Sequence, residues 1–278
     1  MAPSRIRTPA SLATSSTLRA LREQRELGLR ELARRLGFSA SMLSSYELGH
    51  NEAKPTMASR ILGCLHVQGT EYDQLMYLAA NIGTKNFVDH TTSPTTDLLS
   101  IYENLSTRIV EWSPFRIPDL LRTPRWLQTT AEGDVEPSDQ LDQEPFHQRC
   151  RRLPAQQEGR SYVFLIGDQA LRMACEDAGP ATQDLDLLRG ADKRIDVSIR
   201  VAPSGPAALN PTTAFTVFES GRLPLAVALR HEHCTAYLTE ESLRISYQLT
   251  AKNLLKRNSG ESATLETWIA ATYDRTSS

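Results

Sequence analysis

Residues 29 to 49, LRELARRLGFSASMLSSYELG, have the pattern of two short helices joined by a glycine turn. Gly37 can adopt the positive φ that ends the first helix, and Ser39 can cap the start of the second. Apolar residues at helical spacing give each helix one buried stripe, namely Leu32, Ala33 and Leu36 in the first and Leu43 and Tyr46 in the second. The segment therefore predicts a helix-turn-helix, the unit that places its second helix in the major groove of DNA.

Four short motifs follow one another within residues 16 to 81: Leu18-x-x-Leu-Arg22, Glu31-Leu-Ala33, Gly37-x-Ser39 and Leu43-Ser-x-Tyr-Glu47-x-Gly49. In these motifs the chain resembles the lambda-repressor-like, Xre-type DNA-binding domains. Capping residues and apolar spacing predict five helices in this segment, the first from Thr17 to Glu26. The resemblance implies that Arg22 and Glu47 form a structural ion pair between helix 1 and the end of the recognition helix.

The predicted recognition helix packs through Leu43 and Tyr46, so four small side chains project towards the base edges: Ala40, Ser41, Ser44 and Ser45. Serine can bond to several bases and alanine can touch a thymine methyl, which predicts direct readout with modest discrimination. The candidates for phosphate contacts are Arg34, Arg35, His50, Asn51 and Lys54. The alternative for each of them is an ordinary solvated side chain.

Two residues at the start of helix 2 depart from the Xre-type pattern. Gly28 and Leu29 stand where that family usually has Ser or Thr, followed often by Gln. Leucine cannot hydrogen-bond a phosphate oxygen, so we expect a single copy of this DNA-binding segment to bind DNA weakly. A homodimer would compensate, because two linked half-sites raise the apparent affinity without new contacts.

Basic residues are concentrated near the N-terminus. Residues 1 to 64 contain 10 Lys and Arg against 5 Asp and Glu, and the remaining residues contain 21 against 28. A basic head on an acidic body fits a protein in which only the head approaches phosphates, although solvated helix faces also give such an imbalance. We predict a disordered arm at 1–15, the DNA-binding head at 16–81, a linker at 82–96 and a C-terminal domain at 97–278.

The C-terminal domain is predicted to be α+β. Four segments rich in Val, Ile and Phe are typical of strands: Tyr162 to Ile166, Asp196 to Val201, Ala214 to Phe218 and Leu225 to Arg230. Apolar residues at helical spacing predict helices from Asp97 to Trp112 and after Thr239. Glu132 to Glu144 contains six acidic residues, which favours a solvated loop over an acidic partner surface.

Five further motifs occur in order along this domain: Ile117-Pro-Asp-Leu-Leu-Arg-Thr-Pro124, Arg149-x-Arg-Arg152, Ile166-Gly-Asp-Gln-Ala-Leu-Arg172, Val197-Ser-Ile-Arg-Val-Ala-Pro203 and Phe215-Thr-Val-Phe218. Here the chain resembles the WhiJ-like, Scr1-type antitoxin-like regulators of actinomycetes. Asp119 and Arg122 depart from the glycine and glutamine usual there. The resemblance implies a small partner protein that binds the regulator and changes its occupancy of DNA.

Other functional classes lack their motifs. The chain has no apolar run of membrane-spanning length and no signal core, so we expect a cytoplasmic, nucleoid-associated protein. It has no nucleotide-binding loop, nucleophile elbow or zinc-protease motif, and we predict neither enzyme activity nor a cofactor. The four cysteines are far apart, which favours reduced thiols. His231 and His233 beside Cys234 could share a metal with Cys150 or Cys175, but solvent-facing histidines are the favoured interpretation.

The sequence thus predicts a transcriptional regulator that binds double-stranded operator DNA as a homodimer. Its C-terminal domain would dimerise and bind the small partner protein. The alternative is a C-terminal domain that senses a small molecule, which a cavity with apolar and convergent polar residues would favour. Catalysis by this domain is a third hypothesis and would require a cleft with perturbed titratable groups.

Overall fold

The computed structural model describes residues 7–90, 97–122, 153–155, 158–178, 182–203, 210–221, 223–231 and 234–273. The helices are α1 (Pro9–Gln24), α2 (Leu29–Leu36), α3 (Ala40–Glu47), α4 (Pro55–Cys64), α5 (Gly69–Ala80), α6 (Leu98–Leu105), α7 (Asp168–Ala178), α8 (Thr182–Asp192), α9 (Glu241–Arg257) and α10 (Leu265–Tyr273). The strands are β1 (Asn86–Asp89), β2 (Arg108–Ser113), β3 (Ser161–Gly167), β4 (Val197–Ala202), β5 (Phe215–Ser220), β6 (Leu223–Arg230) and β7 (Thr235–Leu238). None of the helices in these residues is long and apolar enough to span a membrane.

The contacts divide the chain into two compact units. Unit 1 comprises Met1–Leu105 and Arg230–Leu243, and unit 2 comprises Ser106–Leu229 and Arg244–Ser278. The first five helices all belong to unit 1, and parallel and antiparallel strands with flanking helices follow along the chain. The predicted fold class, a five-helix head followed by an α+β part, is confirmed.

Helix α1 begins at Pro9, eight residues before the predicted start, so the expectation of a disordered arm is wrong for residues 9 to 15. Thr8 caps the helix, and Pro9 occupies its first turn, where no backbone donor is needed. Thr14, Ser15 and Thr17 can be buried because their hydroxyls donate to carbonyls one turn back, as Thr14 Oγ1 does to Ala10 O at 2.7 Å. A composition typical of a mobile arm therefore forms a buried helix.

Strand β1 lies within the segment predicted as a linker. It pairs antiparallel with β7, with Phe87 opposite Tyr237. Both of these aromatic residues are buried, and Tyr237 stacks on Tyr102 of α6 with ring centroids 5.6 Å apart. The segment around β7 thus belongs to unit 1, a pairing that local sequence cannot reveal because the two strands are about 150 residues apart.

The predicted helix from Asp97 to Trp112 is wrong in its second half. Helix α6 ends at Leu105, and the chain then forms β2. Ile109, Val110 and Trp112 are all buried, and a run of β-branched and aromatic residues covered on both faces favours a strand over a helix. The helical spacing of Leu98, Ile101, Leu105 and Ile109 had suggested one continuous helix.

In unit 2 the strands run in the order β6-β5-β2-β3-β4. Strand β2 is parallel to β3, and β3 is parallel to β4, whereas β5 is antiparallel to both β2 and β6. Helices α7 and α8 connect β3 to β4. The four strands predicted from sequence are confirmed as β3 to β6, with ends shifted by at most two residues. The carboxyl ends of the three parallel strands therefore lie at one edge of the sheet.

Candidate nucleic-acid interface

Helices α2 and α3 form the helix-turn-helix of unit 1. Gly37 ends α2 in the left-handed region with φ 69°, and Ser39 caps α3 by accepting a hydrogen bond from the Met42 backbone N–H at 3.2 Å. The apolar residues of the two predicted stripes are buried, and Leu32 and Leu43 are fully enclosed. Packing through these stripes fixes which side of α3 remains free.

The free side of α3 carries the four predicted base-contact residues. Ser41 is exposed, and Ala40, Ser44 and Ser45 are half-buried, whereas Leu43, Tyr46 and Glu47 are buried. The sequence interpretation missed Met42 and Leu48, which are 36% and 43% exposed in the same region. Their apolar side chains suit contact with thymine methyl groups. The sequence did hold a signal for these two residues, because both are apolar and lie outside the stripe of Leu43 and Tyr46.

Ser45 is the most constrained of the four. Its Oγ donates to the Met42 carbonyl at 2.7 Å and accepts from Asn51 Nδ2 at 2.9 Å. This second bond places Asn51, a predicted phosphate contact, directly against Ser45, a predicted base contact. This bond joins the recognition helix to the loop that follows it.

The other predicted phosphate contacts are exposed. His50 and Lys54 lie in the loop between α3 and α4, and Lys54 immediately precedes α4. Arg34 and Arg35, at the end of α2, both pair with Glu31 one turn earlier, Arg35 Nε at 2.9 Å from Glu31 Oε1. The hydrogen bonds from Arg35 and then Arg34 hold the pKa of the Glu31 carboxyl below its ordinary value. Both guanidinium groups thus share one carboxylate.

At the start of α2, Gly28 makes no side-chain cap, and Leu29 is the first helical residue. Leu29 is half-buried. An anion near this helix end would meet backbone N–H groups but no polar side chain from Gly28 or Leu29.

Arg22 and Glu47 form a buried, two-pronged ion pair. Arg22 Nε donates to Glu47 Oε1 at 2.7 Å, and Nη2 donates to Oε2 at 2.8 Å. Arg22 Nη1 also donates to the Leu27 carbonyl at 2.9 Å. The hydrogen bond to Glu47 raises the pKa of the Arg22 guanidinium, against the opposing effect of burial. The pair connects the end of α1 to the end of α3.

Arg7 and Gly49 form a second contact at the end of α3, which the sequence interpretation did not single out. Arg7 Nη1 donates to the Leu48 carbonyl at 2.6 Å. Gly49 has φ 66°, and a Cβ there would lie 3.1 Å from both Arg7 Nη1 and Ser15 Oγ. Arg7 belongs to the segment expected to be disordered, so no local pattern connected it with Gly49.

Several sequence features lie outside the described residues: Glu132 to Glu144, Arg149 to Arg152, His233, Cys150 and the side chain of Cys175. Cys64 and Cys234 are free thiols. Among the residues that the structure describes, no cluster of His, Cys, Asp and Glu could hold a metal ion.

Two family models match the chain. Residues 96–267 match the family described as Domain of unknown function (DUF5753), and residues 15–75 match the family described as Helix-turn-helix domain. No curated protein and no solved structure matches it. The second match confirms the predicted helix-turn-helix and with it a DNA-binding regulator.

Proposed function

Since the chain belongs to the DUF5753 family and carries a helix-turn-helix domain, we propose that it is a sequence-specific transcriptional regulator that reads operator DNA with α3. The observation that supports this most is the free side of α3, where small polar side chains remain accessible above a buried apolar stripe. The ion pair of Arg22 with Glu47 and the Ser39 cap fix the helix that presents them. A pre-positioned helix loses little conformational freedom on entering the major groove.

Selection from a random duplex library with the full chain tests this proposal. We expect one enriched motif, and we expect Ser44→Ala to change that motif while non-specific affinity stays within about twofold. Enrichment of no motif, or an identical motif for both proteins, would reject α3 as the reading element.

We also propose that the regulator acts as a homodimer. One head offers few side chains for base readout and has an apolar Leu29 where a phosphate contact is usual, so two heads bound together would supply the missing affinity. Their recognition helices would then lie about 34 Å apart on a two-fold symmetric operator. Light scattering on the full chain, with and without the selected duplex, tests the stoichiometry. A single chain per duplex would reject the dimer.

The resemblance to antitoxin-like regulators supports a further proposal, that a small partner protein binds residues 97–278 and changes occupancy of the operator. The test is copurification followed by reconstitution with the purified partner, in which the operator-bound fraction is measured against partner concentration. An unchanged bound fraction at saturating partner would reject this role.

A small-molecule sensor is the second candidate function. It is favoured by a cleft in unit 2 at the carboxyl ends of the parallel strands, the usual position of ligands in open α/β sheets.

A further inference from the structure

The cleft of unit 2 results from the order of its strands. Strands β2, β3 and β4 are parallel and end at Ser113, Gly167 and Ala202, at one edge of the sheet. Strand β5 begins at that same edge, because Phe215 pairs with Trp112 near the end of β2. Strand β5 lies on the far side of β2 from β4, and the structure describes the connection between β4 and β5 at Pro203 and from Asn210 onward. The cleft lies where these described residues meet the strand ends.

Three contacts hold the walls of the cleft. Trp112 Nε1 donates to the Pro211 carbonyl at 2.8 Å, which ties the connection to β2. Asn210 Nδ2 donates to the Pro203 carbonyl at 3.2 Å. Gly167 lies against the backbone after β2, so close that a Cβ there would be 2.2 Å from the Pro114 carbonyl oxygen. The absence of a side chain at this position lets the two walls approach.

The cavity measures about 150 Å³, and its described lining contains no ionisable side chain. A space of about this size accommodates a single six-membered ring such as benzene. Phe115 and the prolines supply apolar surface, and the amides of Gln169 and Asn210 with the hydroxyl of Thr212 supply uncharged hydrogen-bonding groups. An ion would lose part of its hydration there without gaining an opposite charge from the described lining, so the lining favours a neutral ligand.

We infer that this cleft binds an uncharged small molecule containing one ring, with the ring against Phe115 and a polar substituent on Gln169 and Asn210. The inference rests on the second candidate function, the small-molecule sensor, and names its site and the class of its ligand. It is independent of how α3 contacts DNA.

Benzamide is a suitable probe, because it joins a neutral ring to an amide that can pair with the amides of the cleft. Benzoate and benzamidine have the same shape with a negative and a positive charge. We expect saturation-transfer NMR on the full chain to detect benzamide at millimolar concentration, and both charged analogues to bind at least tenfold more weakly. Absence of saturable benzamide binding, or equal binding of benzoate, would overturn the inference.

A matched pair of variants places the probe in the cleft. Thr212 lines the cleft, whereas its neighbour Thr213, which is also exposed, does not. Thr212→Trp should abolish benzamide binding, and Thr213→Trp should leave it within twofold of the original chain. Gln169 is exposed, and leucine has a similar volume to glutamine, so Gln169→Leu should fold. This variant should weaken benzamide binding several-fold, and it replaces Thr212→Trp as the test if that variant fails to fold. Equal binding by all three variants would overturn the site.

Measuring operator binding on the same protein sample distinguishes a failure of this inference from a failure of the sensor function. If the chain still binds its operator but does not bind benzamide, the proposed ligand site is refuted and the sensor function is not. Saturable benzamide binding in the cleft that leaves operator occupancy unchanged refutes the sensor function for this class of ligand and retains the site.

Discussion

Asn51 donates a hydrogen bond from its side-chain amide to Ser45 Oγ at 2.9 Å, and Ser45 Oγ donates in turn to the Met42 carbonyl. The hydroxyl proton of Ser45 is therefore used within the protein, as is one of its lone pairs. Ser44, on the same side of α3, makes no side-chain hydrogen bond within the described residues. Of these two serines, Ser44 is the better placed to read a base.

Ser44→Ala should therefore change the selected DNA sequence more than Ser45→Ala does. We expect the first variant to lose about 1 kcal/mol of discrimination at one base pair, the low end for a lost base contact. Ser45→Ala should instead lower affinity for all sequences alike. It removes the hydrogen bond that holds the Asn51 amide in place, and Asn51 is a predicted phosphate contact. Parallel library selections with both variants measure this, and the reverse ranking would show that Ser45 rearranges on DNA.

Arg22→Ala should lower stability without changing sequence preference. The side chains of Arg22 and Glu47 are only 11% and 5% exposed, and loss of one partner leaves a buried charge unpaired, at a cost of about 3 kcal/mol. Arg19→Ala is the matched control, because Arg19 pairs with Glu23 on the surface and should contribute less than about 0.5 kcal/mol. Urea unfolding measures both. If stability held while the selected sequence changed, Arg22 would be a DNA contact.

The helix-turn-helix was predictable from sequence because its signals are local. Gly37 and Ser39 act on their own helices, and the buried stripes repeat within one or two turns. The side of α3 that faces away from the core followed from the same spacing. The hydrogen-bond partners of its polar residues did not, since the Ser45 to Asn51 bond depends on the path of the following loop.

Glu31→Gln should strengthen binding to DNA. The Glu31 carboxylate holds both Arg34 and Arg35, and a neutral amide would leave two guanidinium groups available to phosphates. We expect affinity to rise about threefold at low salt, with a steeper dependence on salt concentration. Glu23→Gln changes the net charge equally and removes a surface partner of Arg19 on α1. Titration of one duplex at several salt concentrations compares them, and equal gains would indicate net charge alone.

Asp196 should contribute to the acid sensitivity of unit 2. Hydrogen bonds from Arg194 at 3.0 and 2.6 Å lower the pKa of the Asp196 carboxyl below its ordinary value of 3.8. A lowered pKa in the folded state means that the stabilisation is complete above the unfolded pKa and disappears as the pH falls through the folded pKa. Asp196→Asn should therefore cost about 1 kcal/mol at neutral pH and almost nothing well below pH 3.8.

Urea unfolding at the two pH values measures this difference. Asp186→Asn is the control, because Asp186 is 62% exposed and meets Arg189 at 3.3 Å on the surface. A cost for Asp196→Asn that is the same at both pH values would mean that the ion pair with Arg194 is not its cause.

The features that sequence did not predict depend on distant partners. Strand β1 is four residues long and exists through its pairing with β7, far along the chain. Helix α1 extends back to Pro9 because surrounding elements of unit 1 bury its Ser and Thr residues. Tertiary contact overrides local composition in both cases. The cleft of unit 2 likewise depends on strand order, which no single segment specifies.

Gly49→Ala should destabilise unit 1 more than Gly37→Ala, although both residues have positive φ. Either alanine must adopt the left-handed region, which costs about 1 kcal/mol. The Cβ at position 37 would meet no atom within 4 Å, whereas the Cβ at position 49 would press on Arg7 and Ser15 at 3.1 Å. We expect an additional cost of about 1 kcal/mol at position 49, from overpacking and from a weaker Arg7 bond to Leu48.

A double-mutant cycle identifies the source of this additional cost. In a chain that already carries Arg7→Ala, the contact with the guanidinium is absent, and of the three atoms nearest to a Cβ at position 49 that of Ser15 remains. Gly49→Ala should then cost less than it does in the original chain, whereas the cost of Gly37→Ala should not change. Urea unfolding of the six proteins gives both differences. Additive effects of Arg7→Ala and Gly49→Ala would mean that Arg7 does not hold the end of the recognition helix, leaving Arg22 and Glu47 as its principal support.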